Sequence, residues 1–597
     1  MKHVRAITAA TFAMLLFGCT KDMPMAERLV ATGGTSPHAV ASMHAGSKLP
    51  RHEEDAFARL ADDEPSSAGF YADQQGRVVV TVSDSTAVGR AISAMARRQS
   101  ATDVPLHPAL RSASIIVKRG SYSFQQLSDW RDSVYLRMLG PVNGVIYDDL
   151  DEVANRVTIG VASAVPSARG EATAMLTKLG IPLAAVNFVT AEPLRPTAAA
   201  SARAATRARR TVGQPLNGLT DTLAGGYAVL AQLPNNAVNQ CTASLVAIYN
   251  GASVLMTVSH CTNTLFTVEG TTFVDGWPAP LGVSYGSTVI ATETTDPSAT
   301  GTKCGFYQGI WDYQCADARG SDVAFATLSG AMLSRRGLIA RTSQRVTSGS
   351  GPLDIDSSHP WFYVTATAAV YVNEPVEKIG ALTGWTGGSV TATCADALMN
   401  AANGQPDHGQ FCSNVANYNE DEGDSGSPVF ARVGTDANND QTVVFLGVHF
   451  GKAGSTTGWF SPYSGILNDL NSSGSNLNVI SDAYVGAPAL SGSISGPKKP
   501  VLSWPAADNV GLTGSVSYRV YRYTWDATSQ SSTGPTWVAT TSSTTWTDAT
   551  LSFRTDAYNG TTSPGQQTSY TSYYVQSYNQ GLGGQSSTIF FSGLWLQ

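Results

Sequence analysis

Gly423-Asp424-Ser425-Gly426-Ser427-Pro428-Val429 is the stretch that decides how this 597-residue chain is read. A serine set between two glycines, with an aspartate before it, is a setting for a nucleophile. The glycines permit a tight turn and a close approach of the backbone to another chain. The amides of Gly423 and Ser425 then become available to a developing oxyanion. A Ser/Gly turn between two strands reads the same way, so the heptad needs partners elsewhere in the chain.

Two segments upstream supply them. Cys241-Thr242-Ala243-Ser244-Leu245-Val246 and Val254-Leu255-Met256-Thr257-Val258-Ser259-His260-Cys261 read as a pair of apolar strands, the second ending in a histidine beside a cysteine. Ser321-Asp322-Val323-Ala324-Phe325 sends an aspartate into an apolar strand. A carboxylate there is poorly solvated unless a partner meets it, and an imidazole is such a partner. Asp312 and Asp317 compete for this role, but no apolar strand follows them.

These segments resemble the chymotrypsin/trypsin family, whose strands read much like CGGSLI and VLTAAHC and whose acid sits in an Asp-Ile-Ala-Leu segment. The resemblance covers about 211–475. It implies a two-barrel β domain and a triad of Ser425 as nucleophile, His260 as base and Asp322 as orienting acid, with Gly423 and Ser425 forming the oxyanion hole. The order His, Asp, Ser is that of chymotrypsin and differs from subtilisin and the α/β-hydrolases. The family also joins the equivalents of Cys241 and Cys261, and a second bridge beside the substrate pocket corresponds to Cys394–Cys412. Cys304–Cys315 is expected as the third. Six cysteines within 241–412 fit an exported, disulfide-bonded domain. No Cys-x-x-Cys or Cys/His cluster suggests a metal, and the implied chemistry needs no cofactor.

Substrate selectivity stays open at this level. The position that sets trypsin-type specificity falls at Asn419, followed by Glu420, Asp421 and Glu422. Glu420 or Asp421 would suit a Lys or Arg side chain. Gly447-Val448-His449-Phe450-Gly451 resembles the Gly-Ile-His-Trp-Gly of glutamyl endopeptidases, in which the histidine receives an acidic side chain. Lysyl endopeptidases also place a histidine nearby, and an acidic rim repels glutamate. A solvated loop is the first reading of the Asn-Glu-Asp-Glu run, ahead of either selectivity role. In the family the 447–451 strand pairs with substrate as an added β-strand, with Phe450 in place of the usual Trp and Gly451 keeping the pocket wall open. Asp424 needs a cation or donors when buried. In the family that cation is an α-amino group freed by cleavage, which makes Thr211-Val212-Gly213 the candidate new terminus after Arg210.

Residues 67–191 read as an α+β region with two repeats. Phe70-Tyr71-Ala72-Asp73 leads to Gly76-Arg77-Val78-Val79-Val80-Thr81-Val82, and Val145-Ile146-Tyr147-Asp148 leads to Asn155-Arg156-Val157-Thr158-Ile159-Gly160-Val161. Each is strand, turn, strand, with helical stretches following at 84–98 and 167–179. Phe124, Leu127 and Trp130 mark a further helix. The repeat resembles the pro-domain of bacterial streptogrisin and α-lytic-type proteases, which assists folding and occupies the active site. Residues 192–210, with Arg203, Arg207, Arg209 and Arg210, read as a flexible, protease-accessible linker.

At the start, Lys2, Arg5 and an apolar run to Phe17 form a secretory signal, too short to span a bilayer when mature. Leu16-Phe17-Gly18-Cys19 resembles a bacterial lipobox, making Cys19 a candidate for lipidation, and 20–66 a tether. At the other end, 476–499 reads as a linker. Residues 500–597 carry alternating strands around Trp504, Tyr518 and Tyr574, all three expected in a core, and resemble a fibronectin type III sandwich. Residues 1–210 carry 24 Lys and Arg against 19 Asp and Glu, whereas 211–597 carry 14 against 26. Opposite signs let the two parts attract. No basic, aromatic-rich run suggests nucleic acid.

The overall expectation is a mainly β, exported or envelope-tethered, monomeric serine endopeptidase made as a zymogen. It would act on polypeptides and be inhibited by its own pro-region. A catalytically silent adhesin would show a lost triad member, and a serine esterase would carry Gly-x-Ser-x-Gly on an α/β pattern; neither feature is present.

Overall fold

The structure, a computed structural model, describes residues 54–595, with breaks of which the longest are 101–109, 201–214, 276–288, 400–407, 433–441 and 561–569. The signal, Cys19 and most of the tether lie outside the described residues, as do Arg207, Arg210 and Thr211. The chain is mainly β.

Two large sheets carry the middle of the chain. One orders its strands as Leu477–Asn478, Leu245–Tyr249, Ala252–Thr257, Ala324–Leu328, Val289–Thr295, Thr272–Asp275, Ala228–Gln232, Val238–Thr242 and Ala199–Ala200. The other runs through His408–Ala416, Gly458–Pro462, Thr442–Lys452, Pro428–Arg432, Pro375–Gly380 and Gly384–Met399. The inward residues of both meet in one core that includes Leu255, Phe325, Ile339, Phe430, Phe445 and Trp459. Each fully buried aliphatic or aromatic side chain there contributes about 1.5–3 kcal/mol. The short helix Tyr463–Asp469 follows the strand Gly458–Pro462, and the fold continues past 475. Asn478 pairs with Ile248, and Ser481 N–H donates to the Val364 carbonyl.

The front region repeats one topology twice. Ser67–Ala72 pairs antiparallel with Val78–Val82, the helix Val88–Ser100 crosses, and Ile115–Arg119 returns parallel to the second strand. Val145–Asp151, Arg156–Ala162, the helix Ala168–Lys178 and Val186–Ala191 repeat the order. The helix Phe124–Met138 starts on a reciprocal capping box between Ser123 and Gln126, which satisfies two otherwise orphaned N–H groups.

The two parts are joined by more than sequence. Tyr147 and Asp148 pair with Ala397 and Asp396, so the second repeat extends the sheet that holds Gly384–Met399. Tyr135 packs edge-on against Phe411, with ring centroids 5.3 Å apart. Cys394–Cys412 sits in the same core as the front region, and Cys241–Cys261 ties the strand Val238–Thr242 to the turn Ser259–Cys261. Cys304 and Cys315 are register partners across a hairpin; their side chains lie outside the described residues.

At the C-terminal end a three-stranded and a six-stranded sheet enclose Leu502, Trp504, Tyr518, Val520, Tyr573 and Val575. One boundary and one buried residue differ from expectation. Ser491–Ile494, read as linker, is a strand of the smaller sheet. Tyr574, expected in the core, lies on the outer face stacked on Tyr521 at 4.8 Å, and Tyr573 takes the core place. The register with Ser517–Asp526 sets that phase, because Tyr573 and Val575 share a face under strict alternation. Among the described residues no helix is long and apolar enough to cross a membrane.

Candidate active site

His260 lies in a single turn of 3-10 helix, Ser259–Cys261, directly after the strand Ala252–Thr257, and the Cys241–Cys261 bridge pins that turn. Asp322 precedes the neighbouring strand Ala324–Leu328, so the two arrive side by side from one sheet. Ser425 comes from the turn before Pro428–Arg432 in the other sheet. At this seam His260 Nε2 lies 2.8 Å from Ser425 Oγ, and His260 Nδ1 is hydrogen-bonded to Asp322 Oδ2. All three side chains are buried. Burial pushes the Asp322 carboxyl up, but its interaction and hydrogen bond with His260, with His408 and Arg319 behind them, outweigh it, and the group ends below the usual range. Asp322 is therefore ionised at neutral pH. Arg319 in turn bonds Asp296, which accepts from Ser259.

The nucleophile turn needs its glycines. Gly423 and Gly426 have φ of +107° and +95°, which L side chains rarely adopt. A Cβ on Gly426 would meet the Thr242 carbonyl oxygen at 2.0 Å. Thr242 holds the turn from the other sheet. Its N–H donates to the Ser425 carbonyl at 2.7 Å, and its hydroxyl donates to the Gly423 carbonyl at 2.8 Å.

Asp424 departs from expectation in its partner. Its carboxylate accepts from Lys378 Nζ at 2.6 Å, from the Thr383 hydroxyl at 2.5 Å and from the Leu382 N–H at 3.0 Å. Burial opposes ionisation there, yet the lysine and these donors hold the carboxyl below its usual range. A residue of the folded barrel thus fills the place assigned to a freed α-amino group.

The segment read as a flexible linker differs most. Leu194 is buried, and Arg195–Pro196 pairs antiparallel with Gly451 and Lys452. Thr197 N–H donates to the Phe450 carbonyl at 3.4 Å, and the Thr197 carbonyl accepts from Gly423 N–H. Ala199 and Ala200 then pair with Gln240 and Asn239 on the other sheet. Two short strands of the chain's own, Arg195–Pro196 and Ala199–Ala200, thus lie one on each sheet, with the Thr197 carbonyl at the Gly423 amide and Thr197 Oγ1 2.7 Å from Ser425 Oγ. Backbone hydrogen bonds and the burial of Leu194, Pro196 and Thr197 hold this piece, which its composition could not announce.

Of the proposed selectivity residues, Phe450 and Gly451 line this piece. A Cβ on Gly451 would come within 2.9 Å of the Arg195 carbonyl. His449 is fully buried, its Nε2 3.2 Å from Thr197 Oγ1 and its Nδ1 3.2 Å from Tyr418 OH. The Asn419 carbonyl accepts from the Thr386 hydroxyl. Glu420 is buried, and desolvation raises its carboxyl to about 8, which weakens at neutral pH the negative charge expected for a basic substrate. Asp421 reaches Lys452 Nζ at 3.6 Å. Thr197, Tyr418 and Lys378 were missed in the sequence. Lys378, a lone lysine inside Pro375–Gly380, carried a signal as a charge in an apolar strand. Thr197 carried none.

Among the described residues no cluster of His, Cys, Asp and Glu has the form of a metal site. No protein-family model and no curated protein matches the chain. Similar solved structures include Thermobifida fusca Protease A, at 15% identity and a TM-score of 0.27, covering 44% of this chain and 99% of that one. Another is a glutamic acid specific serine protease that uses a histidine triad in substrate binding, at 16% identity and 0.28, over 43% of this chain and 100% of that one. A third is Cellulomonas bogoriensis chymotrypsin, at 18% identity and 0.27, over 43% and 98%.

Proposed function

We propose that the chain is a serine endopeptidase, and the observation that carries this is the continuous hydrogen-bonded line Asp322–His260–Ser425 across the seam of two sheets. Ser425 Oγ attacks a peptide carbonyl while His260 Nε2 takes its proton. Asp322, ionised and bonded to Nδ1, fixes the tautomer and stabilises the imidazolium. Gly423 N–H, already bonded to a carbonyl oxygen, together with the Ser425 amide, stabilises the oxyanion. His260 returns the proton to the leaving amine, and water completes hydrolysis.

Residues 67–191 act as a pro-region and 194–200 as its plug, so the uncut chain is a zymogen. Two disulfides suit an exported protein. Export through the leader, a lipid on Cys19 and a fibronectin type III-like tail complete the proposal. Digestion of a peptide library by the wild-type chain and by Ser425→Ala tests the activity. Cleavage only by wild type is expected; equal cleavage by both would end the peptidase reading.

A further inference from the structure

Thr197 sits at the reacting position, and its side chain is engaged on two sides. Its hydroxyl lies between Ser425 Oγ and His449 Nε2, and His449 Nδ1 in turn meets Tyr418 OH. All four side chains are buried. Donors and acceptors assign one way once Ser425 gives its proton to His260. The Thr197 O–H then donates to Ser425 Oγ, so Thr197 Oγ1 accepts from His449 Nε2–H. Burial, reinforced by the Lys378 charge, holds His449 neutral. Its bare Nδ1 therefore accepts from Tyr418 O–H, whose ionisation burial suppresses. Each group donates once, and the line ends at Asp322.

We propose that His449 and Tyr418 select threonine at the residue whose carbonyl is attacked, and that the chain's own Thr197–Ala198 bond is the first such substrate. The inference rests on the endopeptidase reading above. Valine has the same shape as threonine but leaves His449 Nε2–H buried without an acceptor. A site built to bond a hydroxyl discriminates strongly against such an isostere. Neither His449 nor Tyr418 carries a charge to offset a lysine or glutamate side chain there. In the self-cleavage, Ser425 Oγ bonds the Thr197 carbonyl carbon as its proton passes to His260. The C–N bond to Ala198 breaks as that proton moves to the Ala198 nitrogen. Water then adds to the acyl carbon as His260 takes one of its protons. The bond from that carbon to Ser425 Oγ breaks as His260 passes the proton to Oγ, and Thr197 is left with a carboxyl group that releases the second proton to solvent.

The test uses the full chain and the octapeptide matching residues 193–200. N-terminal sequencing of the processed wild-type chain should begin at Ala198, with Ser425→Ala uncut there. Peptides with Thr, Val, Glu or Lys in the fifth position should show kcat/KM for Thr above Val by roughly 10-fold to 100-fold. Tyr418→Phe should lower the Thr:Val ratio, with the loss falling on the Thr peptide. Processing at another bond, a Thr:Val ratio near one, or an equal loss on both peptides in Tyr418→Phe would each overturn the proposal. Hydrolysis of every peptide at the Ser425→Ala level would instead remove the endopeptidase reading and this inference with it.

Discussion

Lys378 Nζ lies 2.6 Å from Asp424 Oδ2, and neither side chain has any exposure to solvent. The pair locks the turn that aims Ser425 without drawing on a chain terminus. Removing one member leaves the other charged and buried, which typically costs about 3–5 kcal/mol. Lys378→Met is therefore expected to lose stability on that scale in denaturant titration and to lose peptidase activity with it. A cost below about 1 kcal/mol would mean that the Thr383 hydroxyl and the backbone donors suffice. The same geometry predicts that adding one residue to the N-terminus of the processed enzyme leaves kcat/KM intact, which peptide kinetics would read directly.

Asp322→Asn separates orientation from fold. The amide is isosteric but cannot hold His260 in the tautomer that accepts from Ser425. A fall in kcat of about 10^4-fold is expected, with unchanged thermal stability as the control. A fall of less than about 10-fold would place the orienting acid elsewhere, the buried Asp296 bonded to Ser259 being one candidate.

The docking of the front region should respond to alkali. Glu152 is buried, accepts from the Thr393 hydroxyl at 2.8 Å across the boundary, and is raised to about 8, chiefly by desolvation. Asp149 beside it is also raised by burial and by Glu152. A raised carboxyl favours the packed state while protonated. That stability is full below the unfolded carboxyl value near 4.5 and declines as pH rises toward 8. Amide hydrogen exchange in 145–162 of Ser425→Ala should accelerate from pH 6 to pH 9 beyond the intrinsic chemical effect. Glu152→Gln should flatten the change, and an identical profile in the two proteins would count against Glu152 as its source.

In the C-terminal module, Asp548 accepts from Tyr573 OH, Arg522 and the Thr550 N–H at 2.8, 2.8 and 2.9 Å. Burial works against ionisation, but these donors hold the carboxyl below its usual range. Its contribution is full above the unfolded value near 4 and is lost as pH falls through the folded one. Asp548→Ala orphans a buried tyrosine hydroxyl and should cost about 1–3 kcal/mol at pH 7. The loss should shrink in acid, as followed by tyrosine and tryptophan fluorescence.

The heptad at 423–429, the His-Cys strand end and the Asp322 strand were legible because each departs from its surroundings: glycines where the turn needs positive φ, polar groups at the ends of apolar runs. The front repeats were legible from alternating β-branched residues followed by helical spacing. The short strands Arg195–Pro196 and Ala199–Ala200 were not, because alanine, threonine and proline look like linker until neighbouring strands supply the hydrogen bonds. Tyr573 and Tyr574 show the same limit within an element. Both suit a strand, and only the register with Ser517–Asp526 decides which turns inward. Lys378 shows it across elements, since nothing in Pro375–Gly380 says which carboxylate will lie opposite.

The pairing of Tyr147 and Asp148 with Ala397 and Asp396 gives the strand Gly384–Met399 a neighbour from the front region. A chain cut after Thr197 that sheds that region leaves a stretch of this strand with unmet N–H and C=O groups, a margin to which any extended polypeptide can add. Release thus bares two adhesive surfaces at once, the cleft and this margin. The longer the shed piece stays nearby, the longer it guards the enzyme against pairing with its own kind.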